Sequence, residues 1–277
     1  MQYDPIKRSL GRIFNATPGL RLLFYRLLNL LLLRAWHIRN ELKSWASARG
    51  SVADILDAGS GFGQYSWSMS KLGADYRITG VDVKEDQIED CNRFFNKIGL
   101  GGRITFRKAD LTKFMEPATY DLILSVDVME HIEEDRQVFR NFYESLIPGG
   151  MLLISTPSDK GGSDTHEHSQ DGISGFIDEH VRDGYSPEDI SEKLKDAGFE
   201  TVECRYSYGK PGHIAWKLSM KAPIVMLNAS HLFFLLLPFY YLLAWPVACV
   251  LNYLDTKMSH QEGTGLIVKA MKNNGKI

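Results

Sequence analysis

The chain predicts an α/β protein with a doubly wound, largely parallel sheet, and three observations carry that expectation. Short β-type runs alternate with helical patterns through most of the 277 residues. A glycine-rich turn, Gly59-Ser60-Gly61-Phe62-Gly63, directly follows the first run, and Asp82 closes the second run 21 residues after Gly61. Strict alternation of strand and helix implies right-handed crossovers, which stack the strands in parallel with helices on both faces. Hydrophobic residues at 44% and charged residues at 24% fit a globular chain and exclude a wholly disordered one or a many-pass membrane protein.

The first segment differs from the rest. Residues 1–50 hold nine Lys/Arg against two Asp/Glu, so with a whole-chain charge of -2 the remaining 227 residues carry a net -9. From Thr17 to Trp45, Leu20, Leu23, Phe24, Leu27, Leu28, Leu31 and Leu32 recur at three- and four-residue spacing, with Arg21, Arg26, Arg34 and Arg39 between them. This predicts a basic amphipathic helical segment that either docks its stripe on the following domain or lies on an anionic membrane surface. The apolar run Leu22 to Leu33 starts late, is interrupted by Arg26 and Asn29, and has no small-residue cleavage site, so no secretory signal is expected. Cys91, Cys204 and Cys249 are far apart without a C-x-x-C pair, which argues against a disulfide framework and a structural zinc site. A cytoplasmic protein is the expectation.

Over residues 51–277 the predicted strands are Ala53 to Ala58, Tyr76 to Val81 with Asp82 at its end, Arg103 to Lys108, Tyr120 to Val126, Met151 to Ser155 and Thr201 to Tyr206. Helices are predicted at Tyr65 to Leu72, Glu85 to Ile98, Glu133 to Leu146 and Pro187 to Ala197, the last opened by a Ser186 cap with Pro187 behind it. Two segments break the rhythm. Residues 157–185 are polar and glycine-dotted, with His166, His168 and His180, too long for an ordinary connection, and read as a lid or substrate cap. Residues 211–262 form an apolar insert whose centre, Leu232 to Leu251, is twenty residues without a charge.

The chemistry points to Ile55-Leu56-Asp57-Ala58-Gly59-Ser60-Gly61-Phe62-Gly63-Gln64, between the first strand and the first helix. Glycines let the backbone turn sharply and leave no Cβ between it and a ligand, and free amides at a helix start attract polar groups. A nucleotide-like ligand is implied. Asp82 can accept two hydrogen bonds from a ribose diol, and Asp110 ends the third strand where an adenine would lie. A nicotinamide fingerprint needs its third glycine three residues beyond the second, whereas Gly63 stands two beyond Gly61.

With these motifs the chain resembles the class I S-adenosylmethionine-dependent methyltransferases. The likeness runs from about Val52 to Lys272, through Asp57 to Gly63, Gly80-Val81-Asp82, Ala109-Asp110-Leu111, Tyr120 to Ile123, Met129-Glu130-His131 and Leu146-Ile147-Pro148-Gly149-Gly150. It implies a Rossmann-like seven-stranded sheet of order 3-2-1-4-5-7-6, closed by an antiparallel strand Gly265 to Ala270, with N-terminal helices and an apolar helical insert before that strand. It also implies S-adenosyl-L-methionine as cofactor, with Gly59, Gly61 and Gly63 against the methionine part, Asp82 on the ribose, Asp110 on the adenine amine and Leu111 beside the ring. Asp57, Val83 and Val126 complete the expected cofactor-binding set. Asp127 to His131 is similar to the stretch found in quinone O-methyltransferases, which makes Asp127 and His131 the candidate catalytic residues. Glu-His there also serves as a helix cap in relatives, and the trio with Glu130 is open to a metal-binding role; no metal site is assigned.

The activated methyl needs acceptor, methyl and sulfur held in line, and a base only if the acceptor is a hydroxyl or an acidic carbon. The expected function is methylation of a small, lipophilic acceptor at the inner face of a membrane, with nucleic acid excluded by the absence of a Pro-Pro-Tyr or Pro-Pro-Phe tetrapeptide after the fourth strand. Strands flanking the apolar insert must pair in one sheet, so a single membrane crossing is excluded. Pro238 and Pro246 can break a helix, and Tyr240, Tyr241 and Trp245 favour the water–lipid boundary. The insert is therefore expected to dip into one leaflet as a bent hairpin or in-plane helix. A soluble metabolite methyltransferase whose insert is a cap or homodimer face, a non-catalytic S-adenosylmethionine-binding protein, and an NAD(P)-dependent oxidoreductase are the alternatives.

Overall fold

The computed structural model describes residues 17–161 and 181–273. Seven strands, β1 (Val52–Ala58), β2 (Asp75–Asp82), β3 (Ile104–Lys108), β4 (Tyr120–Val126), β5 (Leu146–Pro157), β6 (Thr201–Ser207) and β7 (Gly265–Met271), form one sheet in the order β3-β2-β1-β4-β5-β7-β6. The first five are parallel, and β7 runs antiparallel between β5 and β6. The expected topology is the observed one.

Period-two alternation divides the core. Ile55, Leu122, Leu124, Leu153 and Ile267 face one side with Trp67, Phe94 and Phe95, while Leu56, Ile123, Leu152, Ile154 and Val268 face the other with Val138, Phe139, Ile190 and Leu194. Central strands buried on both faces read as continuous apolar runs, which is why Tyr120 to Val126 was legible as a strand end to end. On the first face lie α1 (Pro18–Leu31), α2 (Leu33–Arg49), α3 (Gln64–Met69) and α4 (Glu85–Lys97); on the second lie α5 (Asp135–Ser145) and α6 (Pro187–Asp196). Ser186 caps α6 by accepting the Asp189 amide at 3.1 Å, with Pro187 in the first turn where its missing N–H costs nothing.

The amino-terminal stretch is two helices, because Leu32 takes an extended conformation between them. α1 docks by its polar and aromatic side rather than by the leucine stripe. Arg21 is buried against the Phe94 ring, donates to the Phe62 carbonyl at 2.8 Å and pairs with Asp90, while the Tyr25 hydroxyl also donates to Phe62. Asn29 joins Gln64 at 2.7 Å and Ser68 at 3.0 Å. Leu23, Leu27 and Leu30 are left exposed.

Between β6 and β7 the chain forms a helical hairpin. One arm is α7 (Lys210–Trp216), a π-helical turn (Lys217–Lys221) and α8 (Ala222–Ala229); a 3-10 turn (His231–Leu235) leads to α9 (Leu237–Lys257). The arms run antiparallel, since Gly212 donates to Asp255 at 3.0 Å while the Tyr240 and Tyr241 hydroxyls donate to the Leu218 and Ser219 carbonyls at 2.6 and 2.7 Å. Neither proline breaks α9. Pro238 sits in the first turn, where an amide has no helical partner, and Pro246 lies inside the helix, which continues to Lys257. Of the expected bent hairpin or in-plane helix the structure has the hairpin, but its turn lies at residues 230–236 and not at either proline. Of the segment read as a lid, residues 162–180 with His166, His168 and His180 lie outside the described residues.

Candidate active site

The glycine turn closes over the carboxyl ends of β1 and β2. The amides of Gly59 and Ser60 both donate to the Val81 carbonyl at 2.9 Å, and Gly63 donates to Ser60 at 2.9 Å. Gly59, Gly61 and Gly63 all have positive φ (79°, 51° and 83°), a region costly for residues with a Cβ. Their surroundings differ. A Cβ on Gly63 would meet the Phe95 ring at 2.8 Å, and one on Gly59 would strike Val128 at 2.2 Å, whereas one on Gly61 would point into open space. Gly61 therefore marks the side from which a ligand approaches, and the other two let the turn sit against the protein.

Asp82 ends β2 with both carboxylate oxygens on backbone amides, Oδ2 accepting from Gly61 at 3.0 Å and Oδ1 from Lys84 at 3.0 Å. This fixes the carboxylate under the open glycine and leaves lone pairs free for a diol. Val83 is exposed beside it. Asp110 is tied to the same edge, because the Ala109 amide donates to the Asp82 carbonyl at 3.0 Å. Its Oδ1 accepts the Thr112 hydroxyl at 2.7 Å and amide at 2.9 Å, which hold the carboxyl below the usual carboxylate range. Leu111 is buried, with its carbonyl accepting from Asn141 at 2.8 Å. Asp57 is buried beneath the turn, where Ser66 donates to it at 2.6 Å and burial pushes its pKa up to about 6.

From β4 the chain passes through Val126 to Asp127, whose φ is +52° and whose amide donates to Ser155 at 2.8 Å. The Asp127 carboxylate pairs with Arg34 of α2. His131 is exposed in the 3-10 turn Met129–His131, while Glu130 is buried and accepts the Thr156 hydroxyl at 3.1 Å. Asp127 and Glu130 thus turn to different partners, and among the described residues no group of three metal-ligating side chains is present. The His166-Glu167-His168 tripeptide lies outside the described residues.

Two orphaned hydroxyls test the cofactor against these residues. Ser60 Oγ in the turn and Ser125 Oγ, on β4 opposite Ala58, are buried without a hydrogen-bond partner among the described residues. Unsatisfied polar atoms beside a cradle that a Cβ would enter suit a polar ligand at this sheet end. Glycine turn, Asp82 and Asp110 lie along that edge in the order an aminoacyl group, ribose and adenine require. Sequence reasoning missed Arg34, Tyr65 and Tyr208. The Arg34 amide donates to the Tyr208 hydroxyl at 3.0 Å, and among the described residues no hydrogen-bond partner reaches the buried Arg34 Nε or Tyr65 hydroxyl. Nothing local marks these three, because they come from the amino-terminal helices, α3 and the β6–α7 turn and meet only in the fold.

A methyltransferase domain model matches residues 55–150. The ubiquinone biosynthesis O-methyltransferase of Rickettsia felis is 25% identical over 174 residues, covering 61% of this chain and 69% of that protein. Phosphoethanolamine N-methyltransferase 1 of Triticum aestivum is 30% identical over 149 residues, 53% of this chain but only 28% of that protein. Among solved structures, phosphoethanolamine N-methyltransferase 2 of Haemonchus contortus in complex with S-adenosyl-L-methionine aligns with a TM-score of 0.58 at 18% identity, covering 84% of this chain and 52% of that one, a likeness of fold. Sheet order, motif geometry and matching domain agree: residues 55–150 are a methyltransferase domain, and the chain carries the fold and the cofactor-site layout of the class I S-adenosylmethionine-dependent methyltransferases.

Proposed function

We propose that this enzyme methylates a small, lipophilic acceptor while seated on the inner surface of a membrane. The observation that carries the reading is the hairpin. α9 is long and apolar enough to cross a membrane, yet only 11% of its apolar window is buried in the protein. Leu242 and Leu243 are 73% and 77% exposed, alongside Leu232, Phe234, Leu235 and Phe239 at the tip. Exposed apolar surface on this scale marks an interaction site. Both arms return to the same sheet through paired β6 and β7, which excludes a single crossing, and Lys210, Lys217 and Lys221 on the first arm favour a hairpin that enters one leaflet. Lys217 and Lys221 on one arm and Arg26 beside exposed Leu23 and Leu27 suit an anionic lipid surface. Relatives named for ubiquinone biosynthesis and for phosphoethanolamine methylation set an apolar against a charged acceptor, and the hairpin weighs toward the first.

The bound cofactor supplies a methyl group already activated on a sulfonium sulfur. The glycine turn and Asp82 orient it, and Arg21 and Tyr25 of α1 hold the turn in place through the Phe62 carbonyl. Positioning of this kind contributes roughly 7 to 11 kcal/mol. In this reading Asp127, held by Arg34 at the end of β4, and His131 one turn further take the proton of a hydroxyl acceptor. Flotation with vesicles of phosphatidylethanolamine and phosphatidylglycerol tests the membrane assignment. The full chain should rise with the vesicles, and a Leu242→Glu, Leu243→Glu variant should stay behind with unchanged S-adenosylhomocysteine affinity. A full chain that stays in the soluble fraction, monodisperse without detergent, would overturn it.

A further inference from the structure

Residues 181–185, just before α6, tie the loop that follows β4 to the end of β5. Tyr185 pairs with Ser158 in a parallel bridge: its amide donates to the Pro157 carbonyl at 3.1 Å, and the Asp159 amide donates to the Tyr185 carbonyl at 2.9 Å. Gly184 permits this approach, since its φ is +153° and a Cβ there would strike the Ser158 carbonyl oxygen at 2.3 Å. From that anchor the segment reaches across to the 3-10 turn Met129–His131. The Val181 amide donates to the Glu130 carbonyl at 3.0 Å, and Arg182 Nη2 donates to the carbonyls of Ile132 at 2.7 Å and Glu133 at 3.2 Å. Carbonyls outside a regular helix or ladder need partners from elsewhere, so these bonds set where the loop lies. His131 stands between the bonded carbonyls of Glu130 and Ile132.

We infer that Arg182 is a positioning residue for methyl transfer: it locks the turn that carries His131 against the end of β5, while the glycine turn and Asp82 bind the cofactor independently of it. The inference rests on the role proposed above for His131. Arg182 Nη1 donates to the Tyr185 hydroxyl at 2.7 Å and pairs with buried Asp135, and the guanidinium lies over the Tyr185 ring, 5.0 Å from its centroid. A planar fork of this kind serves several acceptors at once, which a lysine ammonium cannot. Asp135 does not depend on Arg182 alone, because Lys193 donates to it at 2.9 Å and the Tyr185 hydroxyl lies 2.8 Å away. Removing Arg182 therefore leaves the buried carboxylate paired and frees the carbonyls of the loop.

Hydrogen exchange and turnover test the assignment together. The His131 and Ile132 amides bond within the turn, to the Val128 and Met129 carbonyls at 3.0 and 3.3 Å. In Arg182→Met their exchange should quicken by about tenfold, with exchange of the glycine turn unchanged. In transfer of label from S-adenosylmethionine to extracted membrane lipids in vesicles, the same variant should lose about tenfold in turnover at saturating cofactor, with the KM for S-adenosylmethionine and the affinity for S-adenosylhomocysteine unaltered. Arg182→Lys still pairs with Asp135 but cannot span two carbonyls, so it should be as slow as Arg182→Met. If Arg182→Met fails to fold, Tyr185→Phe, which removes only the hydroxyl that Arg182 holds, should quicken the same amides and slow the same step. Full rescue by lysine, or wild-type exchange or wild-type turnover in Arg182→Met, would overturn the proposal and leave Arg182 as a counter-ion of Asp135. A wild-type protein that transfers no label would strike the proposed function instead, and the exchange comparison would still decide whether Arg182 holds the loop.

Discussion

At the scale of single residues, Asp82 carries the heaviest demand. Its carboxylate is pre-set by the Gly61 and Lys84 amides, so the diol meets an acceptor that need not reorganise. Hydrogen bonds to a charged group contribute about 1.5 to 3 kcal/mol, so Asp82→Ala should weaken S-adenosylmethionine binding by about tenfold to a hundredfold in calorimetry. The glycines separate stability from binding. Gly63→Ala combines a positive φ with a clash against Phe95 and Phe106 and should cost about 2 kcal/mol or more in a urea titration. Gly61→Ala meets no protein atom, so it should lose roughly the backbone strain of 1 to 2 kcal/mol in stability and show its larger effect on cofactor affinity. These residues were legible in the sequence because a turn of spaced glycines and a strand-end carboxylate are local patterns. Arg34 and Tyr208 were not, since an arginine in a basic helix and a tyrosine in a strand-to-helix turn carry no local mark until the fold brings them together.

At the scale of elements, the amino-terminal helices and the hairpin are one mechanical unit. His37 of α2 is buried between Asp255 of α9 at 2.8 Å and Arg205 of β6 at 3.0 Å, and His260 also approaches Asp255 at 3.2 Å. An arginine can only donate, so His37 Nδ1 accepts and Nε2–H donates to Asp255; the ring is neutral. Burial lowers the His37 pKa, and Arg205 lowers it further against the opposing pull of Asp255. The folded pKa lies below the unfolded value near 6.5, so this stabilising contribution is complete above that pH and is lost as the pH falls below it. Asp57 acts in the other direction, since its raised pKa of about 6 lets the folded state hold a proton that the unfolded chain releases, which stabilises the fold on acidification. Comparing urea midpoints at pH 7.5 and 5.5 for the wild type and His37→Gln separates them: the wild type should lose more on acidification than the variant does. The Arg34–Asp127 pair makes a second prediction. Both side chains are about one-third exposed, so Arg34→Ala should change stability by under about 1 kcal/mol. Turnover should nonetheless fall by about tenfold or more, because the pair sets the geometry at the reacting end.

At the scale of the whole molecule, alternation of strands and helices announced the sheet, and even its antiparallel seventh strand was expected. What the sequence could not show was how the appended helices fold back. The leucines of α1 suggested a docking stripe, but Arg21 found Asp90, the Phe62 carbonyl and the Phe94 ring, and a buried guanidinium with such partners outweighs a few leucines. Pro246 suggested a break, yet the helix runs through it packed against α7. The result is an enzyme whose glycine turn, amino-terminal roof and apolar hairpin share one side of the molecule through Arg34, His37 and Asp255. Methyl transfer from labelled S-adenosylmethionine to extracted membrane lipids, presented in vesicles, tests this account most directly. Label should enter a small molecule of the organic phase with the wild-type protein, and be lost both with Asp82→Ala and with the Leu242→Glu, Leu243→Glu variant; label confined to water-soluble metabolites, or transferred equally well by the hairpin variant, would contradict it.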